Sequence, residues 1–224
     1  MPVELEVPTG YPAVVEAMAN DRIDLALFGG LTYVQARERA EVTPLVTDIN
    51  PETGTTKYTS EIIVPADSDV RRVEDLKGKT FAFGSVSSTS GSLYPALMLE
   101  KAGIDYREDL ERTTYTNGHD ATAAAVASGN IDAGGLEARI LNRLEQKGTV
   151  DKSRIRSIAT SDPIEGYPWV VRDAVDAGTQ EKIKHGFRRP RRAASRCRST
   201  SGSATSARRP SSASSAPAGS ASRS

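Results

Sequence analysis

An α/β fold is predicted on two observations. Short runs of alternating apolar residues recur between stretches of helical apolar spacing from residue 4 to residue 187, and glycine or proline closes most of them. Repeated strand–helix units of this kind imply a mostly parallel, doubly wound sheet with helices on both faces. A third observation bounds the fold. Residues 188–224 hold 12 Ser, nine Arg and eight Ala, and no Ile, Leu, Val, Phe or Tyr. That composition cannot bury a core, so a disordered tail is expected there. Out-of-frame GC-rich DNA would give the same mixture; a basic arm for nucleic acid or a membrane surface is the alternative reading.

Each element has its local reason. Glu4–Val7 alternates and predicts a short strand. Thr9 stands where it can cap a helix over Pro12–Asn20, with Val14, Val15 and Met18 as the apolar stripe. Ile23, Leu25 and Leu27 alternate with Asp24 and Ala26, which predicts a strand ending at Phe28-Gly29-Gly30, and Leu31–Ala40 has helical spacing. Tyr58–Val64 is one long extended run closed by Pro65. Lys79–Phe83 predicts a strand, and a helix over Ser92–Ala102 stops at Gly103. Arg112–Tyr115 predicts a strand, and His119–Ser128 an Ala-rich helix with Gly129 as its stop. A strand over Ile131–Ala133, a helix over Leu136–Gln146, a strand over Arg154–Thr160, an extended segment over Tyr167–Arg172 and a helix over Thr179–Phe187 complete the body.

Charge and cysteine content exclude several functions. The 29 basic and 29 acidic side chains cancel, but nine Arg fall in residues 188–224 with no Asp or Glu beside them. Residues 1–187 therefore carry 20 basic and 29 acidic groups, a net of −9. An acidic body argues against nucleic acid as partner, because phosphate neutralisation needs clustered Lys and Arg. Cys197 is the single cysteine, so neither an intrachain disulfide nor a thiolate metal site is expected. No run approaches the roughly 18–20 apolar residues of a membrane span, so no membrane insertion is expected. Met1–Val7 lacks the basic stretch and apolar core of a leader, which predicts a chain that, as written, stays in the cytoplasm where it is made.

The run Ser87-Ser88-Thr89-Ser90-Gly91 lies between a predicted strand and a predicted helix. Three hydroxyls and several free backbone N–H groups then share one helix start, which favours an oxyanion. Two further helix starts carry suitable groups: Tyr11 before the first helix, and Gly118-His119-Asp120. In doubly wound folds ligands gather at the carboxyl ends of strands, where these starts lie. Plainer readings stand beside this one. The hydroxyl run could be a cap and turn, His119 a helix cap, and Tyr11, Tyr58 and Tyr167 packing residues; Phe28 reads as core or hinge wall.

Together, Asp75–Gly84, Ser88-Thr89-Ser90-Gly91, Gly118-His119-Asp120-Ala121-Thr122 and Gly129-Asn130-Ile131-Asp132-Ala133 resemble one family closely. It is the phosphonate/phosphite/phosphate-binding subunit of ABC transporters, of the type II periplasmic-binding class. Tyr11–Ala17 and Ile23–Gly29 fit its first lobe, and the likeness covers residues 3–187. The resemblance implies two doubly wound α/β lobes joined by a hinge. Residues 1–64 would form the first lobe and first crossing, 65–166 the second lobe with the oxyanion site, and 167–187 the return crossing and a first-lobe helix; 188–224 is the tail. It further implies that Ser88, Thr89, Ser90 and His119 hold a phosphoryl group, with Tyr11 and Tyr58 closing from the first lobe. A permease would be the partner, the binding unit a monomer, and the location periplasmic or lipid-anchored.

Two departures sharpen the expectation. Members that bind aminoalkyl phosphonates place acids near the amine, where this chain has Arg139 and Tyr167. Without a carboxylate partner a buried ammonium is costly, so phosphite, methylphosphonate or phosphate is the expected cargo, with Tyr167 at its substituent. The family also begins with a leader, a strand and a helix and ends with closing helices, so an incomplete first lobe is expected here. No cofactor or metal is expected, and no enzymatic activity. The competing reading is a hydrolase using Ser88 or Ser90 with His119, which the absence of a Gly-x-Ser-x-Gly elbow and the sequence adjacency of His119 and Asp120 disfavour.

Overall fold

In the computed structural model, residues 2–51 and 53–188 are described. The expected tail lies outside them, except that Arg188 ends the last helix.

Three sheets organise these residues. The small sheet sets β10 (Pro168–Arg172) between β1 (Leu25–Leu27) and β2 (Val42–Thr47), antiparallel to both. Helices α1 (Tyr11–Ala19) and α2 (Gly30–Arg37) flank it. The large sheet has the order β6-β5-β7-β4-β8, from β6 (Arg112–Tyr115), β5 (Thr80–Phe83), β7 (Ala133–Glu137), β4 (Ser60–Pro65) and β8 (Ile155–Thr160). Between the sheets, β3 (Lys57–Tyr58) pairs with β9 (Ile164–Glu165) and ties the outgoing chain to the returning one.

The α/β expectation holds, but the large sheet is mixed rather than mostly parallel. β5 is parallel to β6 and β7, whereas β4 is antiparallel to β7 and β8. The reason is the route of the chain. β4 follows β3 after one residue, Thr59, so it enters directly as an extended crossing and not through a helical crossover. The single run expected over Tyr58–Val64 is thereby split between two sheets.

Alternation along β4 divides the large sheet's core. Ile62 and Val64 pack with Phe81, Phe83, Leu76 and Leu99, on the side of α3 (Tyr94–Lys101). Ile63, on the opposite face, packs with Leu136, Ala123, Val126, Leu141 and Leu144, under α4 (His119–Ala127) and α5 (Ala138–Gln146). Each such side chain stabilises the fold by roughly 1.5–3 kcal/mol when fully buried. A third cluster, Val15, Met18, Ala26, Phe28, Ala36, Val42 and Val170, holds α1 and α2 on the small sheet. α6 (Ala177–Arg188) closes the described chain, with Phe187 against Trp169 of β10.

Four local expectations are corrected. Glu4–Val7 forms no strand; Val3, Leu5 and Val7 are exposed and pair with nothing among the described residues. Gly10, not Thr9, stands at the N-cap of α1, with a proline in the first turn. In β1 the buried face belongs to Ala26, while Leu27 is 47% exposed. The strand expected at Ile131–Ala133 instead begins at Ala133 and runs to Glu137 through Gly134 and Gly135. These glycines are not breakers: a Cβ at Gly135 would lie 2.3 Å from Pro95 Cγ, so only glycine lets α3 pack on this central strand.

Candidate functional site

A cavity of about 160 Å³ opens where the two sheets meet. Its walls come from four places. The small sheet and its helices supply Tyr11, Val14, Leu27 and Phe28; the crossings supply Tyr58 and Tyr167; and the segment after β5 supplies Ser87–Ser90. Leu27 is exposed because it faces this space and not the core. Six of the seven expected site residues thus line one cavity, and His119 stands just behind it. Among the described residues, none that lines it carries a formal charge. A larger hollow of about 420 Å³ lies elsewhere, bordered by Arg72, Leu97, Lys101 and Asp162. Its charged groups are exposed, and Lys101 pairs with Asp162 at 3.4 Å.

The hydroxyl wall folds on itself. Ser88 caps a π-helical turn, Thr89–Leu93, that precedes α3. Its Oγ accepts from Gly91 N at 2.9 Å, and its own carbonyl accepts from Leu93 N at 3.0 Å. Gly84 N donates to Gly91 O at 2.8 Å, which draws β5's end against the turn. A Cβ at Gly91 would meet Ser88 Oγ at 2.9 Å, His119 Cε1 at 3.0 Å and Gly84 Cα at 3.3 Å, so the cradle closes only around glycine. Ser60 Oγ of β4 donates to Ser90 O at 2.7 Å. Thr89 Oγ1 accepts from Leu31 N of α2 at 2.9 Å, linking this wall to the small-sheet side. The Thr89 and Ser90 N–H groups stand in the first turn, where the helical ladder gives them no acceptor. The capping reading of Ser88 is therefore right as far as its oxygen goes, and its hydroxyl proton remains to donate.

His119 begins α4 and is buried. Its Nδ1 accepts from Glu137 N at 3.3 Å, so the neutral ring carries its proton on Nε2. Burial holds its pKa below the usual imidazole range, against the opposing charges of Glu137 and Asp120. Asp120 does not orient the ring; its Oδ1 folds back over Gly118, 2.5 Å from where a Cβ there would lie. A Ser-His-Asp relay needs a carboxylate at Nδ1 and finds a backbone N–H instead.

The opposite wall centres on a residue absent from the expected set. Glu137, at the end of β7, is 2% exposed. Its Oε1 accepts from Arg139 Nε at 2.5 Å and its Oε2 accepts from the Tyr167 hydroxyl. Tyr58 and Tyr167 stack with ring centroids 4.8 Å apart, and the Arg139 guanidinium sits 5.5 Å from each ring centroid. A carboxylate thus does stand in this region, two residues before the position where an arginine was expected to replace one. The sequence signal was Gly-Gly-Leu-Glu as the end of a strand, hidden when the glycines are read as a break. Burial and then the charge of Glu137 push the Tyr58 pKa up to about 12 and raise Tyr167 further; Tyr11 is raised by burial, Glu137 and Asp120. Burial also works against the Arg139 charge, and the Glu137 carboxylate overcomes it, so the guanidinium pKa is raised. Tyr58 is 4% exposed, and its Oη forms no well-aligned hydrogen bond among the described residues, although the Thr89 and Tyr167 hydroxyls lie beside it.

The sequence profile of one family, described as "ABC transporter, phosphonate, periplasmic substrate-binding protein", matches residues 1–196. The phosphate-import protein PhnD of Mycolicibacterium smegmatis is 32% identical over 194 residues, covering 83% of this chain and 60% of that protein. The phosphonates-binding periplasmic protein of Escherichia coli is 28% identical over 181 residues, covering 79% of this chain and 53% of its own length. The chain therefore spans a little over half the length of these relatives. Among solved structures, a binding-protein component of an ABC phosphonate transporter from Pseudomonas aeruginosa gives a TM-score of 0.70 at 27% identity, over 79% of this chain and 59% of that one. PhnD1 of Prochlorococcus marinus in complex with methylphosphonate gives 0.71 at 25% identity, over 83% of this chain and 69% of that one.

Proposed function

Because the chain belongs to the family of periplasmic substrate-binding proteins of phosphonate ABC transporters, we propose that it captures a small tetrahedral phosphorus oxyanion in the 160 Å³ cavity. Its fold is that of type II periplasmic binding proteins. Phosphite, methylphosphonate and phosphate are the cargo of fitting size and chemistry. Residues 1–47 with 168–187, which carry the small sheet, act as one jaw, and 60–160, which carry the large sheet, as the other. Closure presents the loaded shape to a permease, outside the cytoplasmic membrane. No helix among the described residues is long and apolar enough to cross a membrane itself.

The observation that carries this reading is the Tyr58 hydroxyl, buried in the cavity wall with no hydrogen bond formed among the described residues. A buried polar atom left unpaired costs about 1–3 kcal/mol, which a ligand oxygen would recover. Around it stand other neutral donors: the Ser88, Thr89 and Ser90 hydroxyls, the N–H groups of the π-helical turn, and the Tyr11 hydroxyl, with His119 Nε2–H behind. Charge-assisted hydrogen bonds contribute roughly 1.5–3 kcal/mol each, so three to five give about 4.5–15 kcal/mol, a range that spans the roughly 8 kcal/mol of micromolar binding before ordering costs. Glu137 is already held by Arg139 and Tyr167, so it offers no free partner to an ammonium group.

Titration of the full chain with phosphite, methylphosphonate and phosphate tests this. Trp169 lies two residues past Tyr167 and packs against Phe187, so its fluorescence reports on the crossing, with calorimetry as a second readout. Saturable binding of at least one is expected. No heat and no fluorescence change with all three would overturn the reading.

A further inference from the structure

The tyrosines of the cavity are not equivalent as hydrogen-bonding groups. A hydroxyl has one proton to donate and two lone pairs to accept with. Tyr167 commits its proton to Glu137 Oε2, so toward the cavity it presents lone pairs only. Glu137 is fixed in that task, being buried and anchored through Oε1 by Arg139, whose guanidinium also lies against both tyrosine rings. Tyr58 is the reverse case: its buried hydroxyl forms no well-aligned hydrogen bond among the described residues, so its proton is uncommitted. The cavity is therefore polarised. Donors are offered by Tyr58 and the hydroxyl run, and one acceptor, backed by a carboxylate, is offered by Tyr167, stacked beside Tyr58.

A fully ionised tetrahedral anion offers acceptors alone. It would satisfy the donors but set a bare oxygen against the Tyr167 lone pairs, with the Glu137 charge directly behind and, among the described residues, no cationic side chain lining the cavity in compensation. An oxyanion that keeps one proton fits both ends: its ionised oxygens take the donors and its O–H donates to Tyr167. Resting on the oxyanion reading above, we propose that Tyr167, positioned by Glu137 and Arg139, selects the proton-bearing form of a phosphorus oxyanion and rejects tetrahedral anions that have no proton to give, such as sulfate and alkyl sulfonates. Charged and titratable neighbours of Tyr167 are Glu137, Arg139, Tyr58 and Tyr11, with His119 and Asp120 beside them and Asp48 beyond Arg139. Burial lowers the pKa of His119, the imidazole of that set, below 6.5, so the ring is neutral above that pH. The ligand's own second ionisation therefore sets the pH dependence.

Methylphosphonate and methanesulfonate share a methyl group and a tetrahedral head and differ in the O–H proton, which makes them the probes. With the full chain at mildly acidic pH, methylphosphonate is expected to bind at least about 10- to 100-fold more tightly, the worth of one hydrogen bond to an acceptor polarised by a carboxylate. Its affinity should then fall about tenfold per pH unit above its second ionisation, because the competent fraction falls in that proportion. In Tyr167→Phe the preference should shrink toward unity and the pH slope should flatten, neither of which a packing role alone would produce. Equal binding of the two probes, a flat pH profile in the wild type, or an unchanged preference in Tyr167→Phe would each overturn proton selection while leaving oxyanion capture standing. Absence of binding by methylphosphonate, phosphite and phosphate alike overturns both.

Discussion

The two walls of the cavity are built on opposite principles. The hydroxyl wall is local: Ser87–Ser90 are consecutive, and Ser85, Ser88, Gly91 and Leu93 bond to one another across a single turn. The tyrosine wall gathers Tyr58 from β3, Glu137 from β7, Arg139 from α5 and Tyr167 from the segment before β10. Charge explains the difference. Neutral hydroxyls and N–H groups can be satisfied by their own backbone, whereas a buried carboxylate is tolerated only when other segments bring it partners. A donor wall can therefore be written in five adjacent residues, and an acceptor wall cannot.

Breaking the tyrosine wall should have the largest effect. Glu137→Ala leaves the Arg139 guanidinium without its partner and the Tyr167 hydroxyl without its acceptor, and a loss of about 3 kcal/mol in urea unfolding is expected. Stability equal to wild type would show that the buried pair contributes nothing. The hydroxyl wall should break less severely and for a steric reason. Gly91→Ala inserts a methyl 2.9 Å from Ser88 Oγ and 3.0 Å from His119 Cε1. Overpacking of that kind costs about 1–3 kcal/mol, and because both neighbours belong to the site, methylphosphonate binding should weaken beyond what the lost stability explains. A variant that binds normally would mean that the turn has room to give.

The same contrast decides what could be read in advance. The hydroxyl run was legible because its chemistry, its cap and its turn are contiguous, and the strands on either side of it, Thr80–Phe83 and Arg112–Tyr115, matched their apolar and β-branched patterns. Glu137 was not legible. Reading Gly134 and Gly135 as punctuation ends β7 early and starts the next helix at Leu136, which hides the carboxylate at a helix start. Only the approach of Pro95 in three dimensions reveals why a central strand needs glycine there. Leu27 misleads similarly, because alternation tells which residues share a face but not whether that face meets core or cavity. The direction of β4 depends on how the chain crosses between sheets, a non-local fact that strand pattern does not carry. Glu4–Val7 shows the converse failure, since alternation without a partner strand leaves an extended segment and no sheet.

The smallest expected effect comes from the one titratable ring behind the hydroxyl wall. Folding lowers the His119 pKa from its usual value of 6.5, because burial disfavours the imidazolium more than Glu137 and Asp120 favour it. Above pH 6.5 folded and unfolded chains both hold the ring neutral, and His119 adds no pH dependence. Below it the unfolded chain binds a proton that the folded chain resists, so stability falls with falling pH until the folded pKa is reached. Asp75, Asp109, Asp132, Asp151 and Asp176 have pKa values below 3.8 in the fold, so their contributions fade only in more acidic solution. Urea unfolding between about pH 7.5 and pH 5 should therefore isolate His119, with a decline in wild type that is reduced in His119→Gln, whose side-chain oxygen can still accept the Glu137 N–H. A wild-type profile flat to about pH 5 would mean that the ring accommodates charge. The donor wall depends on keeping a charge out, as the tyrosine wall depends on keeping one paired, and only the first of these leaves a signature in mild acid.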